Sequence, residues 1–443
     1  MTLIFDIGKT NKKAFVFDNN YKIIYEESHR IPEIKDEDGF PCDDLETLTE
    51  WILATLKKIT SSKEFRISAV NFSSFGASFV HINELGQPLL PLYSYLKPLS
   101  PEIKNKFFSD YGGEAKISRE TASPVLDSLN SGLQLYRLKY EKSIHTKPGY
   151  SLHLPQYLSY LVTRKVYSDI TSIGCHTMLW NFEKDDYHDW VNKEGLLKRL
   201  APVYPSSQLL DAESKWGQLK SGIGLHDSSS AITPYLATFR EPFALISTGT
   251  WSISLNPFNH RTLTSKELEQ DCLCFFSYRK KPVKASRFFA GNVHEQAEKR
   301  IAGQFNKKNN FFNQVRFDTG IVETLEKKFH QDARTEFVPG PVLFDDREMS
   351  DFNSYEEAYH QLILDIIHLQ VLSTNLVLEG SGARKIFVDG GFSKNEVFMK
   401  LLARAYTDYE VYSATVAQAS AIGAALVLNS SSLPDGIVQV TRH

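Results

Sequence analysis

The sequence predicts an α/β protein of two domains that share one architecture. Three observations point there. The chain has 443 residues, more than one hydrophobic core ordinarily organises. Short apolar runs suited to strands alternate with longer stretches of helical periodicity. The opening pattern of strand, glycine-centred turn and strand also returns roughly half-way along. "LIFDIGKTNKKAFVFD" has its counterpart in "FALISTGTWSISLNPF". Gly249 falls on Gly8, Ser247 on Asp6, and "SISL" on "AFVF", a faint internal repeat.

Taken in order, Leu3–Asp6 and Ala14–Asp18 read as a β-hairpin. Leu48, Ile52, Leu56 and Ile59 recur at helical spacing over 45–59, and Ile67–Phe72 reads as a buried strand before the small-residue turn "SSFGAS". Val80–Ile82, "NELGQP" and "LLPLYSYL" read as strand, turn and strand. Segment 100–165 is mostly helical, with breaks at Gly112–Gly113, Pro124 and Pro148–Gly149. "SDITSIGCHTMLWNF" is a polar approach to an aromatic strand, and "GIGLHDSSSAITPYL" a glycine-rich turn into a helix. The boundary between domains is expected between Asp227 and Phe243, giving units 1–235 and 236–443. In the second unit, Ser354–Glu379 is a long amphipathic helix with a Ser-Tyr-Glu-Glu start and Gly380 after its end. Strand "KIFVD", turn "GGFSKN", helix "EVFMKLLARAY", strand "EVYSA" and helix "AQASAIGAALVL" follow. The last residues, "NSSSLPDGIVQVTRH", read as a loosely held tail.

Composition excludes several classes. With 42% hydrophobic and 23% charged residues the chain reads as an ordinary globular protein. A net charge of -3 with mixed signs argues against nucleic acid or an anionic membrane as partner. No run approaches about 18 apolar residues, and the N-terminus enters a strand directly, so neither a membrane span nor a signal peptide is expected. Cys42, Cys175, Cys272 and Cys274 are too few for a disulfide framework, and C-x-C is not a zinc-knuckle spacing. They read as buried reduced thiols of a cytoplasmic protein.

The "GKT" of the opening turn invites a P-loop reading, but strand stands on both sides of it and no helix follows, so that reading fails. Such a hairpin is either a plain turn or a phosphate holder, in which Gly8 permits close approach, Thr10 adds a hydroxyl and Asp6 orients Mg²⁺ through water. "STGTWS" offers Ser247, Thr248, Gly249 and Thr250 as neutral donors; Trp251 reads as core. Asp227 in "HDSSSA" is the best candidate base, because a carboxylate at a helix start stays ionised and well oriented. The alternatives are a helix N-cap and one half of a His-Asp metal pair. His153 and His176 stand alone and read as packing or substrate contacts. The two glycines of "VDGGFSKN" suit close approach of a flat ring or ribose, without the spacing of a dinucleotide fingerprint.

In this order and spacing, "DIGKT", "GIGLHDSSSA", "STGTWS", "VDGGFSKN" and "AQASAIGAAL" resemble the FGGY family of carbohydrate kinases over about residues 1–428. "FSSFGASFVHINELGQPLLPLY" is similar to that family's substrate-side strand and turn. The resemblance implies two actin/hexokinase/Hsp70-like (ribonuclease H-like) domains, each a mixed sheet flanked by helices, with a cleft between them. It implies ATP-dependent phosphorylation of a sugar hydroxyl. Asp227 would be the general base and Asp6 the Mg²⁺ organiser. Gly8, Lys9, Thr10, Gly249 and Thr250 would lie at the phosphates, with Lys9 either reaching an oxygen or pointing to solvent. Gly391 and Asn395 would line the adenosine pocket. Gly76, Ala77, Ser78, His81, Tyr95, and His153 or Gln156 would face the sugar. Three departures concern the substrate: "YSYLK" lacks the Asp of a frequent W-x-D-x-R segment, Gln418 stands where Glu is common, and Ser78 where the rhamnulose/fuculose-kinase branch often has Asp. The "SFGAS" turn resembles the rhamnulose/fuculose-kinase branch, which implies a deoxyketohexose. A pentulose such as xylulose or ribulose is the alternative within the enzyme class, and a non-catalytic nucleotide-binding regulator the alternative outside it. A homodimer is possible for such a chain.

Overall fold

The computed structural model describes residues 1–330, 332–429 and 436–443. The first sheet is built around β1 (Thr2–Ile7), whose core residues Leu3, Phe5 and Ile7 are fully buried. β2 (Lys12–Phe17) pairs antiparallel with it, and β3 (Ile23–His29) antiparallel with β2. Helix α1 (Leu45–Thr60) carries the chain across to β4 (Ala69–Ser74), which lies parallel on the other side of β1. Asp44 caps α1 by accepting from the Thr47 N–H, and Leu48, Ile52, Leu56 and Ile59 are buried, the expected stripe. Phe5 stacks on Phe72 at 5.6 Å, tying the parallel pair. β5 (Phe79–Ile82) leaves this sheet and pairs with β6 (Tyr150–His153), which leads into helix α2 (Leu154–Thr163). Between them, 100–142 is helical, broken as expected at Gly112–Gly113 and around Pro124. A short strand, β7 (Leu225–His226), lies parallel to the end of β4 and runs straight into helix α3 (Asp227–Thr238).

The second sheet repeats the first. β8 (Phe243–Thr248) pairs antiparallel with β9 (Ser252–Asn256). β10 (Cys272–Phe276) and β11 (Pro282–Phe288) extend that side, β11 next to β9. Helix α4 (Ala290–Gln304) follows β11. Helix α5 (Tyr355–Leu378), capped by Ser354 accepting from the Glu357 N–H, carries the chain to β12 (Lys385–Gly390), parallel to β8 on its other side. After helix α6 (Glu396–Ala405) comes β13 (Glu410–Thr415), parallel to β12, and then helix α7 (Ala419–Leu428). The faint repeat is therefore a repeat of topology: a hairpin on one side of the first strand, a parallel strand on the other. Among the described residues α5 is the one helix long and apolar enough to cross a bilayer; its Leu362, Ile363, Ile366 and Leu369 are packed in the core of the second domain.

The two sheets meet across α3 and α7. A Cβ at Gly423 would lie 1.8 Å from the Ser230 carbonyl, so the helices cross at backbone contact there. Ser230 Oγ donates to the Ser420 carbonyl at 2.7 Å, and Asn71 Nδ2 to the Ala424 carbonyl at 2.8 Å. The expected division at 235/236 falls inside α3, the helix that joins the sheets.

Two expectations are corrected. "LLPLYSYL" is not a strand; its one isolated bridge is at Leu92, with a second at Pro88 just before it. Pro88, Pro91 and Pro98 leave no run of donors for a ladder. The tail is held at its end: β14 (Gln439–Arg442) pairs antiparallel with β13, closing the sheet edge. Residues 430–435 of the tail lie outside the described residues. The four cysteines are unpaired and buried.

Candidate active site at the domain junction

Three strand ends and one helix start converge between the sheets. Asp6 stands near the end of β1, in register with Lys13 on β2 and Ser73 on β4. Its Oδ2 accepts from Ser420 Oγ at 2.6 Å, a contact from α7 across the junction. Burial first, and the Asp227 charge among lesser causes, push its pKa up to about 6. Asp227 is the first residue of α3; His226 occupies the cap position, which corrects the N-cap alternative. Its Oδ1 accepts from the Ser228 N–H at 2.6 Å. The side chain keeps 37% of its surface open, yet the walls around it push its pKa up to about 6 through desolvation. Asp6 is a hard oxygen donor of the kind a divalent cation such as Mg²⁺ takes, with the Asp227 charge close enough to raise its pKa.

The glycines of the two hairpins act differently from expectation. The Gly8 N–H donates to the Asn11 carbonyl at 2.9 Å and the Gly249 N–H to the Trp251 carbonyl at 2.8 Å, so both close their own turns. Lys9, Thr10 and Thr250, at the turn tips, have N–H groups without a backbone partner among the described residues. The Lys9 ammonium lies 2.6 Å from Asp43 and 2.7 Å from Glu33. Burial opposes its charge, but these two carboxylates hold its pKa above the ordinary lysine value. Its ammonium is engaged by these two carboxylates. Opposite, the Thr248 hydroxyl donates to the Asp389 carbonyl at 2.6 Å and accepts from the Phe392 N–H at 3.0 Å, which clips the second hairpin to the "DGGF" turn. The glycine this turn requires is Gly390: its φ is +90°, and a Cβ would lie 1.9 Å from the Thr248 carbonyl. At Gly391 a Cβ would meet nothing. Asn395 caps α6 by accepting from the Phe398 N–H at 3.0 Å and donates to the Tyr359 hydroxyl at 2.5 Å, so its amide is engaged inside the second domain. Trp251, expected in the core, is 42% exposed. With Phe289 at 4.5 Å and Arg287 over its ring, it walls a cavity of about 330 Å³ beside the second hairpin.

On the sugar side, Gly76 presses on the His226 ring, where a Cβ would lie 2.4 Å from Cδ2. Ala77 has φ +63°, and its carbonyl accepts from Gln134 Nε2 at 2.6 Å. Ser78 Oγ donates to the Tyr93 carbonyl at 3.2 Å. His81 and His153 are buried against Ser151 and Ser131, at 2.8 and 2.9 Å, and desolvation lowers the pKa of each to about 3. They are interior residues of the β5–β6 pair. Gln156 is buried, with Nε2 donating to the Gly224 carbonyl at 2.9 Å while its Oε1 has no partner. Tyr95 is half-buried, backed edge-on by Phe75 at 5.9 Å, and its hydroxyl senses the Lys9 and Asp227 charges. Lys97 is held by Asp36 at 2.6 Å and by Asp38, so "YSYLK" docks on a neighbouring loop. One grouping has no signature in the sequence. Cys175 and His176 sit against His226, with ligand-type atoms all within 4.8 Å of one another. Nothing in their spacing, 51 residues from Cys175 to His226, signals it.

Residues 1–225 match the family model described as "FGGY family of carbohydrate kinases, N-terminal domain", and residues 240–435 match "Carbohydrate kinase FGGY, C-terminal domain". The chain belongs to the FGGY family of carbohydrate kinases. Between the two FGGY matches lies helix α3, the element that joins the sheets. The FGGY relationship extends to solved structures. A carbohydrate kinase from Novosphingobium aromaticivorans superimposes with TM-score 0.82 at 21% identity, covering 99% of this chain and 95% of that one. A xylulose kinase from Lactobacillus acidophilus gives 0.78 at 15%, covering 100% and 93%, and a gluconate kinase from the same organism 0.76 at 16%, covering 99% and 92%. These likenesses establish the two-domain actin/hexokinase-like fold. Among curated proteins, a gluconokinase from Bacillus subtilis (strain 168) is 27% identical over 121 residues. That match spans 27% of this chain and 23% of the gluconokinase.

Proposed function

We propose that this FGGY protein transfers the γ-phosphoryl group of ATP to a hydroxyl of a small sugar, with Asp227 as general base. The observation that carries the reading is the placement, on the first sheet and facing the junction, of an open carboxylate, Asp227, and a second carboxylate, Asp6, whose pKa is raised in part by the Asp227 charge. Asp227 accepts the proton of the attacking hydroxyl, that oxygen bonds to the γ-phosphorus, and ADP leaves. Mg²⁺ would be held through Asp6 and would supply charge neutralisation at the phosphates. The free N–H groups of Lys9, Thr10 and Thr250 suit phosphate oxygens from both sides, while Gly8 and Gly249 shape the turns that present them. Gly391, with open space over its Cα, suits the approach of adenosine. In this reading residues 1–235 carry the sugar and the base, and 236–443 the nucleotide. Closure of the junction excludes water, the competing acceptor. We further propose that the reaction takes place in the cytoplasm.

For the sugar, we propose a deoxyketohexose such as L-rhamnulose or L-fuculose. Tyr95 backed by Phe75 offers apolar surface for a methyl-bearing carbon, and the unpartnered Gln156 Oε1 is an acceptor for a sugar hydroxyl. The second reading is a pentulose, supported by the likeness to a xylulose kinase structure. A panel of L-rhamnulose, L-fuculose, D-xylulose, D-ribulose, gluconate and glycerol, read by coupled ADP release, tests both. Turnover on a deoxyketohexose at least tenfold above the rest is expected. Preference for xylulose or ribulose selects the second reading, and ATP binding without turnover on any sugar removes the kinase reading.

A further inference from the structure

We propose that Cys175, His176 and His226 form a binding site for a thiophilic transition-metal ion of the zinc class, distinct from any Mg²⁺ at the phosphates. The donor set is one thiol and two imidazoles, which suits zinc and not magnesium, a cation of oxygen ligands. The three donor atoms lie within 4.8 Å of one another, and Cys175 Sγ is 3.8 Å from His226 Nε2. Tetrahedral zinc, with bonds of about 2.3 Å to sulfur and about 2.0–2.1 Å to nitrogen, separates its ligand atoms by about 3.3–3.6 Å. Rotamer adjustments of about 1 Å would close the set on an ion.

The hydrogen bonding leaves the ligating nitrogen of His176 free. His176 Nδ1 donates to the Leu129 carbonyl at 3.2 Å, which fixes its proton there and leaves Nε2 with a lone pair. That is how a protein orients a ligating imidazole. His226 is only 4% exposed, yet its Nδ1 has no hydrogen-bond partner. Its Nε2 faces only Cys175 Sγ and, at 3.3 Å, Asp227 Oδ1. His226 Nε2 thus has a thiol and a carboxylate oxygen as its neighbours, both groups that an ion there could share. His176 and Met178, two non-glycine residues in one short turn, hold φ of +41° and +62°; strain of this kind collects where a side chain must be aimed. A cavity of about 240 Å³ lined by Cys175, His176 and Asp389 gives a route in. Arg287, on the same cavity wall, is held by both oxygens of Asp271, at 3.1 and 2.6 Å, which offsets its charge. On binding, the Cys175 thiol gives its proton to water and the thiolate takes the ion. Asp227 Oδ1 or water completes the coordination. If Asp227 is the base, as the kinase reading holds, an ion here inhibits the transfer.

The test is Co²⁺ titration of the full chain after removal of adventitious metal. One equivalent should bind with the charge-transfer absorption of a thiolate ligand and the visible bands of a tetrahedral site, and Zn²⁺ should displace it. Cys175→Ser should abolish the charge-transfer band, and His176→Ala should weaken Kd at least tenfold, while Cys42→Ser leaves both unchanged. Where a variant fails to fold by circular dichroism, zinc-edge X-ray absorption of the wild-type protein decides, since one sulfur and at least two imidazoles are expected. No thiolate band, a band that survives Cys175→Ser, or an oxygen-only shell overturns the site. None of these outcomes depends on kinase activity. The linked effect is separate: Zn²⁺ should inhibit ADP release from the wild type at least tenfold more strongly than from Cys175→Ser.

Discussion

At the scale of single residues, the proposed base is held near its switching point. Asp227 and Asp6 each have a pKa pushed up to about 6, by burial before anything else. The base works ionised, so kcat/KM should be flat above about pH 7 and fall toward tenfold per unit below about pH 6. Because the Asp227 charge is among the causes that raise Asp6, the limb is read as a macroscopic value of the site. A pH–rate profile with no limb between about pH 5 and 7 would contradict this. Asp6 makes a second prediction. Its folded-state pKa of about 6 lies above its ordinary value of 3.8. The protonated carboxyl therefore favours the fold below pH 3.8, and that contribution is lost as pH rises through about 6. Asp6→Asn should raise stability at pH 8 by about 1–2 kcal/mol, with no such gain at pH 4, while lowering activity. Thermal midpoints at the two pH values check the sign.

At the scale of elements, the junction rests on the α3–α7 crossing. Gly423→Ala would drive a methyl into the Ser230 carbonyl, 1.8 Å away. It should cost about 1–3 kcal/mol by overpacking and reduce activity, since Ser420 on α7 donates to Asp6. Gly303→Ala, where a Cβ in α4 meets nothing, should be neutral or stabilising by about 0.5–1 kcal/mol. Equal thermal midpoints for the two variants would remove the crossing from the account. Elements with local signals were legible in sequence. The hairpins declared themselves by apolar runs around a glycine, and α5 by its Ser354 cap and its stripe from Leu362 to Leu369. Elements stabilised from elsewhere were not. β14 is an exposed edge strand whose four residues carry no alternating burial, so only its pairing with β13 reveals it. "LLPLYSYL" had the hydrophobicity of a strand, but Pro91 within it and Pro88 just before it interrupt a ladder. The site shows the same division. Asp6 and Asp227 stood out because strand ends and helix starts are readable. The engagement of Lys9 with Glu33 and Asp43, and the meeting of Cys175 with His226, depend on contacts far along the chain.

At the scale of the whole molecule, two repeats of one topology face each other across a helix pair, and each opens on a glycine-turned hairpin. ATP and sugar bridging both sides should stabilise the closed form by mass action, about 2.7 kcal/mol at a hundredfold excess over Kd. The thermal midpoint should rise more with both ligands than the sum of the separate rises, if the two halves close together. The central claim is that the cleft moves a phosphoryl group to a sugar whose hydroxyl proton goes to Asp227. Its most direct test compares wild type with Asp227→Asn on the best sugar of the panel, with ATP affinity measured alongside. A fall in kcat of about 10²–10⁴ with ATP Kd unchanged within about threefold is expected. Near-full kcat in the Asn variant would contradict the account.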